Sequence, residues 1–179
     1  NTEYTIGLSI DQILQDGTPA PHDIQQKNGF LTIYIGDPDT YLTPGTYTYT
    51  ITYTTYRQLG FFPHHDELYW NIIGTQWQLF IRNSSATIHL PPDIPSDMIH
   101  ATAYIGQYFD EDSHILNPNI NQDNNTITLS THQTIPPEHG LTISIQWPKG
   151  HIAEPTRQQE LMYFINDNWI LLISIAFLI

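Results

Sequence analysis

Residues 63–77 read PHHDELYWNIIGTQW, and the choice between two readings of this stretch decides the fold. Two histidines and two carboxylates (His64, His65, Asp66, Glu67) stand directly before Trp70, Gly74 and Trp77. As chemistry, the four polar residues would be a metal or acid–base site. As architecture, they are the polar lip of a strand pair. Glycine in the first position of a two-residue turn suits a type II′ hairpin, which places the turn at Gly74–Thr75. Counting outward then sets Leu68, Trp70 and Ile72 opposite Ile81, Leu79 and Trp77 on one wholly apolar face. The other face is mixed: Tyr69, Asn71 and Ile73 against Phe80, Gln78 and Gln76. A slip of one residue would reverse every side chain, so an apolar face this complete predicts that both tryptophans are core.

The same period-two alternation runs through most of the chain. It predicts strands at Tyr4–Ile10, Phe30–Ile35, Thr46–Arg57, Leu68–Ile73, Gln76–Ile81, Ala86–Leu90, Thr102–Tyr108, Thr126–Leu129 and Leu141–Trp147. Clusters of Gly, Pro, Asn and Asp separate them, and nearly all of the 13 prolines fall in these breaks, where a missing amide donor does least harm. In Thr46–Arg57 the even positions form a threonine ladder suited to water, while Tyr47, Tyr49, Ile51 and Tyr53 suit a core. Twelve extended residues would reach roughly 40 Å, so a bend or bulge is expected there. The fold class is all-β: an antiparallel β-sandwich of about nine strands, with helix only after about residue 154.

After Trp147 the pattern changes. PKGHIAEP reads as an exit linker, and Thr156 with Gln159 resembles a capping box that opens a helix over about Arg157–Asn166. WILLISIAFLI, residues 169–179, carries no charge, and Ser174 is its one polar residue. A spanning helix needs about 20 apolar residues, so this run reads as the first part of a transmembrane helix, with a buried C-terminal element as the alternative. Arg157 is the sole basic residue in the approach to it; by the positive-inside rule the flank faces outside. The expected organisation is an extracytoplasmic domain over 1–150, a linker with a short helix over 151–168, and the membrane segment from 169.

Composition narrows the function classes. Of 179 residues, 18 are acidic and 5 basic, a formal charge of −13, which argues against nucleic-acid partners and anionic lipid head groups. A content of 40% hydrophobic and 12% aromatic residues is enough to build a core rather than a disordered chain. Without cysteine there is no disulfide, thiolate metal site or cysteine nucleophile. The start at Asn1, with neither an initiator methionine nor a signal-peptide pattern, reads as a processed or excised piece.

Three segments carry a family resemblance: GTYTYTITYTTYRQLGFFPHHDELYWNIIGTQWQLFI, ATIHLP and PPEHGLTISIQWPKG. Over roughly residues 30–150 their order and spacing resemble the extracytoplasmic domain of a family of predicted bacterial membrane proteins, known as domain of unknown function 2207. The resemblance implies a β-sandwich outside the membrane followed by transmembrane helices. It implies no activity and no catalytic residue.

Adjacent side chains of an extended chain point to opposite sides, so His64–Glu67 needs distant partners such as His89, His100 or His114 to hold a metal. The acidic runs Asp37–Asp39 and Asp110–Asp112 lack the spacing of a calcium loop and read as turns. Asp66 or Glu67 with Asp110 or Glu111 would be the carboxylate pair of a hydrolase. No nucleophile elbow and no phosphate loop is visible. The expectation is a non-catalytic module of a membrane-anchored cell-envelope protein, with a protein or glycan partner outside the cytoplasm and no catalytic, cofactor-binding or metal residue assigned. The alternative is a carbohydrate-processing or metal-dependent hydrolase built around His64–Glu67. An exposed aromatic platform would favour the first, and a cleft with convergent carboxylates or histidines the second.

Overall fold

The computed structural model describes residues 7–27, 30–107 and 114–176, which divide between residues 57 and 58 into two compact units. In the first, β1 (Gly7–Gln15), β2 (Thr18–Pro19) and β5 (Tyr49–Tyr56) form an antiparallel sheet in the order β2-β1-β5, and β3 (His22–Lys27) pairs with β4 (Phe30–Ile35). Asp16 and Gly17, at φ 48° and 81°, make the β1–β2 turn, the left-handed geometry that an Asp-Gly pair supplies at least cost. The β-bulge falls at Asp11 of β1 rather than in its partner strand, and Thr54 Oγ1 donates to Asp11 Oδ2 at 2.9 Å. The aromatic side of β5 is not the core face expected of it: Tyr49, Ile51 and Tyr53 are each about two-fifths exposed. Position explains this, because β5 is the edge of a three-stranded sheet and is flanked by β1 alone.

The second unit contains β6 (Leu59–Phe61), β7 (His65–Ile73), β8 (Ser84–His89), β9 (His100–Gly106), β10 (His114–Leu116), β11 (Asn119–Asn121), β12 (Thr126–Thr131), β13 (Gly140–Pro148) and the helix α1 (Arg157–Ala176). Five strands form one antiparallel sheet, β10-β9-β13-β7-β6, and three form another, β11-β12-β8. Buried residues of both sheets meet in one cluster: Ala103 and Ile105 from β9, Leu141, Ile143, Ile145 and Trp147 from β13, and Ile127 and Leu129 from β12. Ile94, Ile99 and Ile135, outside the strands, complete it, and Ile94 is held by Asn125. That residue adopts φ 50° and donates its side-chain amide to the carbonyls of Ile94 (2.7 Å) and Pro91 (3.0 Å).

The expected Gly74–Thr75 hairpin does not form. Strand β7 lies between β13 and β6, while Gln76–Ile81 is irregular apart from one bridge, Ile81 to Ile135. Gly74 does not adopt the positive φ that a type II′ turn demands. In place of the hairpin partner, β13 sets Ile143 opposite Trp70, Ile145 opposite Leu68 and Trp147 opposite Asp66. Strand β13 offers four almost fully buried apolar residues on that face, a better partner than a short return strand ending in the loop. Leu68 and Trp70 pack on the core as expected, whereas Trp77, Leu79 and Phe80 are 55%, 69% and 68% exposed. A register shift opposite Leu141–Thr142 leaves Ile72 as the extra residue of β7, so Ile72 and Ile73 both reach the core.

The capping box is present as expected. Gln159 Oε1 accepts from the Thr156 amide at 2.9 Å, and the Gln159 amide donates to Thr156 Oγ1 at 3.3 Å. The helix runs past Asn166 into the apolar segment, with a break at Asn168 (φ −117°, ψ 16°), whose side-chain amide donates to the Phe164 carbonyl at 2.9 Å. Among the described residues no helix is long and apolar enough to cross a membrane. Residues 4–6, Tyr108 and residues 177–179 of the expected elements lie outside the described residues.

Candidate binding groove

Alternation along β7 sends Asp66 and Glu67 to opposite sides of the five-stranded sheet, as the geometry of an extended chain requires. Asp66 points inward and is completely buried. Its Oδ1 is 2.7 Å from Lys149 Nζ, and Lys149 also reaches Glu154 in the exit linker and lies 5.2 Å from the Phe61 ring centre. The hydrogen bond to Asp66, then that to Glu154, raises the Lys149 pKa above its ordinary value. Asp66 Oδ2 and the indole Nε1 of Trp147 are both buried without a hydrogen-bond partner, an acceptor and a donor on residues that face each other across two strands. Asp66 is therefore a structural carboxylate sealed off from any ligand.

Glu67 faces outward, into a groove of about 1180 Å³ on the solvent side of the same sheet. The groove follows from side-chain size. The central strand β13 presents Thr142 and Ser144, both small, as its floor, and Gly106 continues that floor on β9. Tyr69 on β7 and Tyr104 on β9 rise on either side, and Trp77 with Gln76 and Gln107 closes the end beyond β7. At the opposite end Glu67 Oε1 accepts from Ser144 Oγ at 2.5 Å and from Gln146 Nε2 at 3.3 Å; farther along the floor Thr142 Oγ1 donates to Asn71 Oδ1 at 2.7 Å. Tyr69 and Trp77 remain 59% and 55% exposed, so their ring faces are accessible. Among the described residues lining the groove, Glu67 bears the one charged side chain. The arrangement suits a ligand with apolar faces and many hydroxyl or amide groups.

The other sequence candidates do not converge. His64 is exposed, and His65 stacks on Phe62 with ring centres 4.9 Å apart. His89 Nδ1 is 3.0 Å from Thr126 Oγ1 in the three-stranded sheet, while His100 and His114 begin β9 and β10 in the other. Among the described residues no group of three or more His, Asp or Glu side chains is placed to hold a metal ion. Asp37 accepts from the Asp39 amide at 2.9 Å and so serves the turn it sits in. Asp110–Asp112 lies outside the described residues. Sequence reasoning overlooked Thr142, Ser144, Gln146 and Tyr104, although the strict alternation of LTISIQW carried the signal that one side of β13 is polar.

No curated protein and no solved structure matches the chain. Residues 1–147, more than four-fifths of its length, match the N-terminal domain described for the predicted membrane proteins of DUF2207, and the chain belongs to that family.

Proposed function

We propose that this chain is the extracytoplasmic, non-catalytic β-sandwich module of a membrane-anchored envelope protein, and that it binds glycan on the outer face of its five-stranded sheet. The observation that carries this reading is the groove itself: accessible Tyr69 and Trp77 rings beside a floor of hydroxyl and amide groups. Pyranose rings stack their apolar faces on aromatic side chains while their hydroxyls bond to polar neighbours. The hydrolase reading has less support. A glycosidase needs two carboxylates about 5–10 Å apart. Glu138, near the Gln107 end of the groove, precedes Gly140, whereas Glu67 pairs with Gln146. The six residue steps from Gly140 to Gln146 alone span about 20 Å of extended strand.

Anchoring rests on the apolar run from Trp169 and on the family's description as membrane proteins, and the outward orientation on the scarcity of basic residues before that run. Two measurements test the proposal. In cells making the full-length protein, Asn83→Cys should react with a membrane-impermeant maleimide without lysis; reaction only after lysis would reverse the orientation. On an array of cell-surface glycans the full chain should bind, and Tyr69→Ala with Trp77→Ala should abolish the signal. A signal indifferent to both substitutions would remove the groove from the proposal.

A further inference from the structure

Resting on the glycan reading, we infer that the groove selects uncharged polysaccharide segments lying along β13 and that Glu67 is the residue that turns anionic chains away. Three observations lead there. The floor runs along β13 from Gln146 to Thr142, and Tyr69 and Trp77 line the same groove, so a ligand that uses both rings must extend along the strand. Apart from Glu67 the lining offers amides and hydroxyls, groups that pair with sugar hydroxyls or acetamido groups, and it holds no cation to balance a carboxylate, sulfate or phosphate.

The third observation is the placement of Glu67. Its Oε1 is fixed by two donors, Ser144 Oγ and Gln146 Nε2, so the carboxylate is tied to the floor and does not swing away from an arriving chain. A ligand anion settling over Gln146 would meet that carboxylate at close range in a partly desolvated trough, where like charges repel far more than in bulk water. The chain as a whole, at −13, adds to the effect at longer range. A neutral tetrasaccharide meets neither penalty.

The test compares N-acetylchitotetraose and cellotetraose, both uncharged, with a hyaluronan tetrasaccharide, which alternates a similar acetamido sugar with a carboxylate sugar. Binding to the full chain in detergent micelles is read by titration calorimetry at low and at raised salt. The expected result is that an uncharged tetrasaccharide binds and that the hyaluronan fragment binds at least tenfold more weakly at low salt. Glu67→Gln keeps a carbonyl oxygen for Ser144 and Gln146 and should close most of that gap. Raised salt should narrow the gap in the unaltered chain as well, a measurement that needs no variant. Equal binding of charged and uncharged fragments would overturn the selectivity and leave the glycan site standing. Failure of every tetrasaccharide to bind would overturn both.

Discussion

Trp70, Trp77 and Trp147 provide a graded test of which faces of β7 and β13 make the core. Trp147 is 2% exposed, Trp70 packs on the buried cluster from β7, and Trp77 is 55% exposed at the groove end. A large aromatic hides up to about 250 Å² on folding, which at ~25 cal/mol per Å² sets an upper bound of about 6 kcal/mol for Trp147. Truncations of such residues cost about 3–5 kcal/mol in practice, the value expected for Trp147→Ala, with Trp70→Ala at the lower end of that range. Trp77 hides less than half of its surface, an upper bound of about 2–3 kcal/mol, and its irregular loop can settle into the space left behind. About 1 kcal/mol or less is therefore expected for Trp77→Ala. Urea denaturation of the three variants, followed by far-UV circular dichroism so that no probe is lost, measures all three. If Trp77→Ala cost as much as Trp70→Ala, the return strand Gln76–Ile81 would pair with β7 after all, and the strand order given above would be wrong.

Other outcomes follow from the buried polar groups. Lys149→Met leaves the Asp66 carboxylate buried without its partner, so its urea midpoint should fall below that of the double variant Asp66→Leu with Lys149→Met, which removes both charges. Because the Lys149 pKa is raised in the folded chain, its ion pair stabilises fully below the ordinary lysine value of 10.5 and is lost as pH rises through the raised value. Alkaline melting should thus show a fall beyond pH 10.5 that the double variant lacks. Asn125→Ala removes two donors from buried carbonyls and puts alanine at positive φ, an expected loss of about 2–3 kcal/mol in the same urea assay.

Local rules carried the sequence reading wherever a strand's partner did not matter. Phe30–Ile35 forms a strand with the expected bounds, the capping box closes on Thr156 and Gln159, and alternation separates Asp66 from Glu67. Pairing was a different matter. The apolar face counted across Gly74–Thr75 was plausible because Trp77, Leu79 and Ile81 are large and apolar. Strand β13, some 70 residues away, offers a still better face, and no short-range signal reports a competitor at that distance. The turn signal Asp16-Gly17 marks the end of β1 at Gln15, beyond the expected end at Ile10. The groove shows the same limit. Its polar residues were visible as the even positions of β13, but that they meet Tyr69 and Glu67 is a property of register between distant strands.

The Asp66–Lys149 bridge also has a mechanical meaning. Strand β13 leads directly into the exit linker, and it is the middle strand of its five-stranded sheet, paired with β9 on one side and β7 on the other. Tension applied through the chain beyond Lys149 would load this central strand lengthwise, in shear against β7 and β9, rather than peeling an edge. Lys149 ties the point of loading to the start of β7 through Asp66, so the first slip must stretch an ion pair together with the strand hydrogen bonds. A sheet held in this way would pass force into the exit linker as a stiff unit, and yield late.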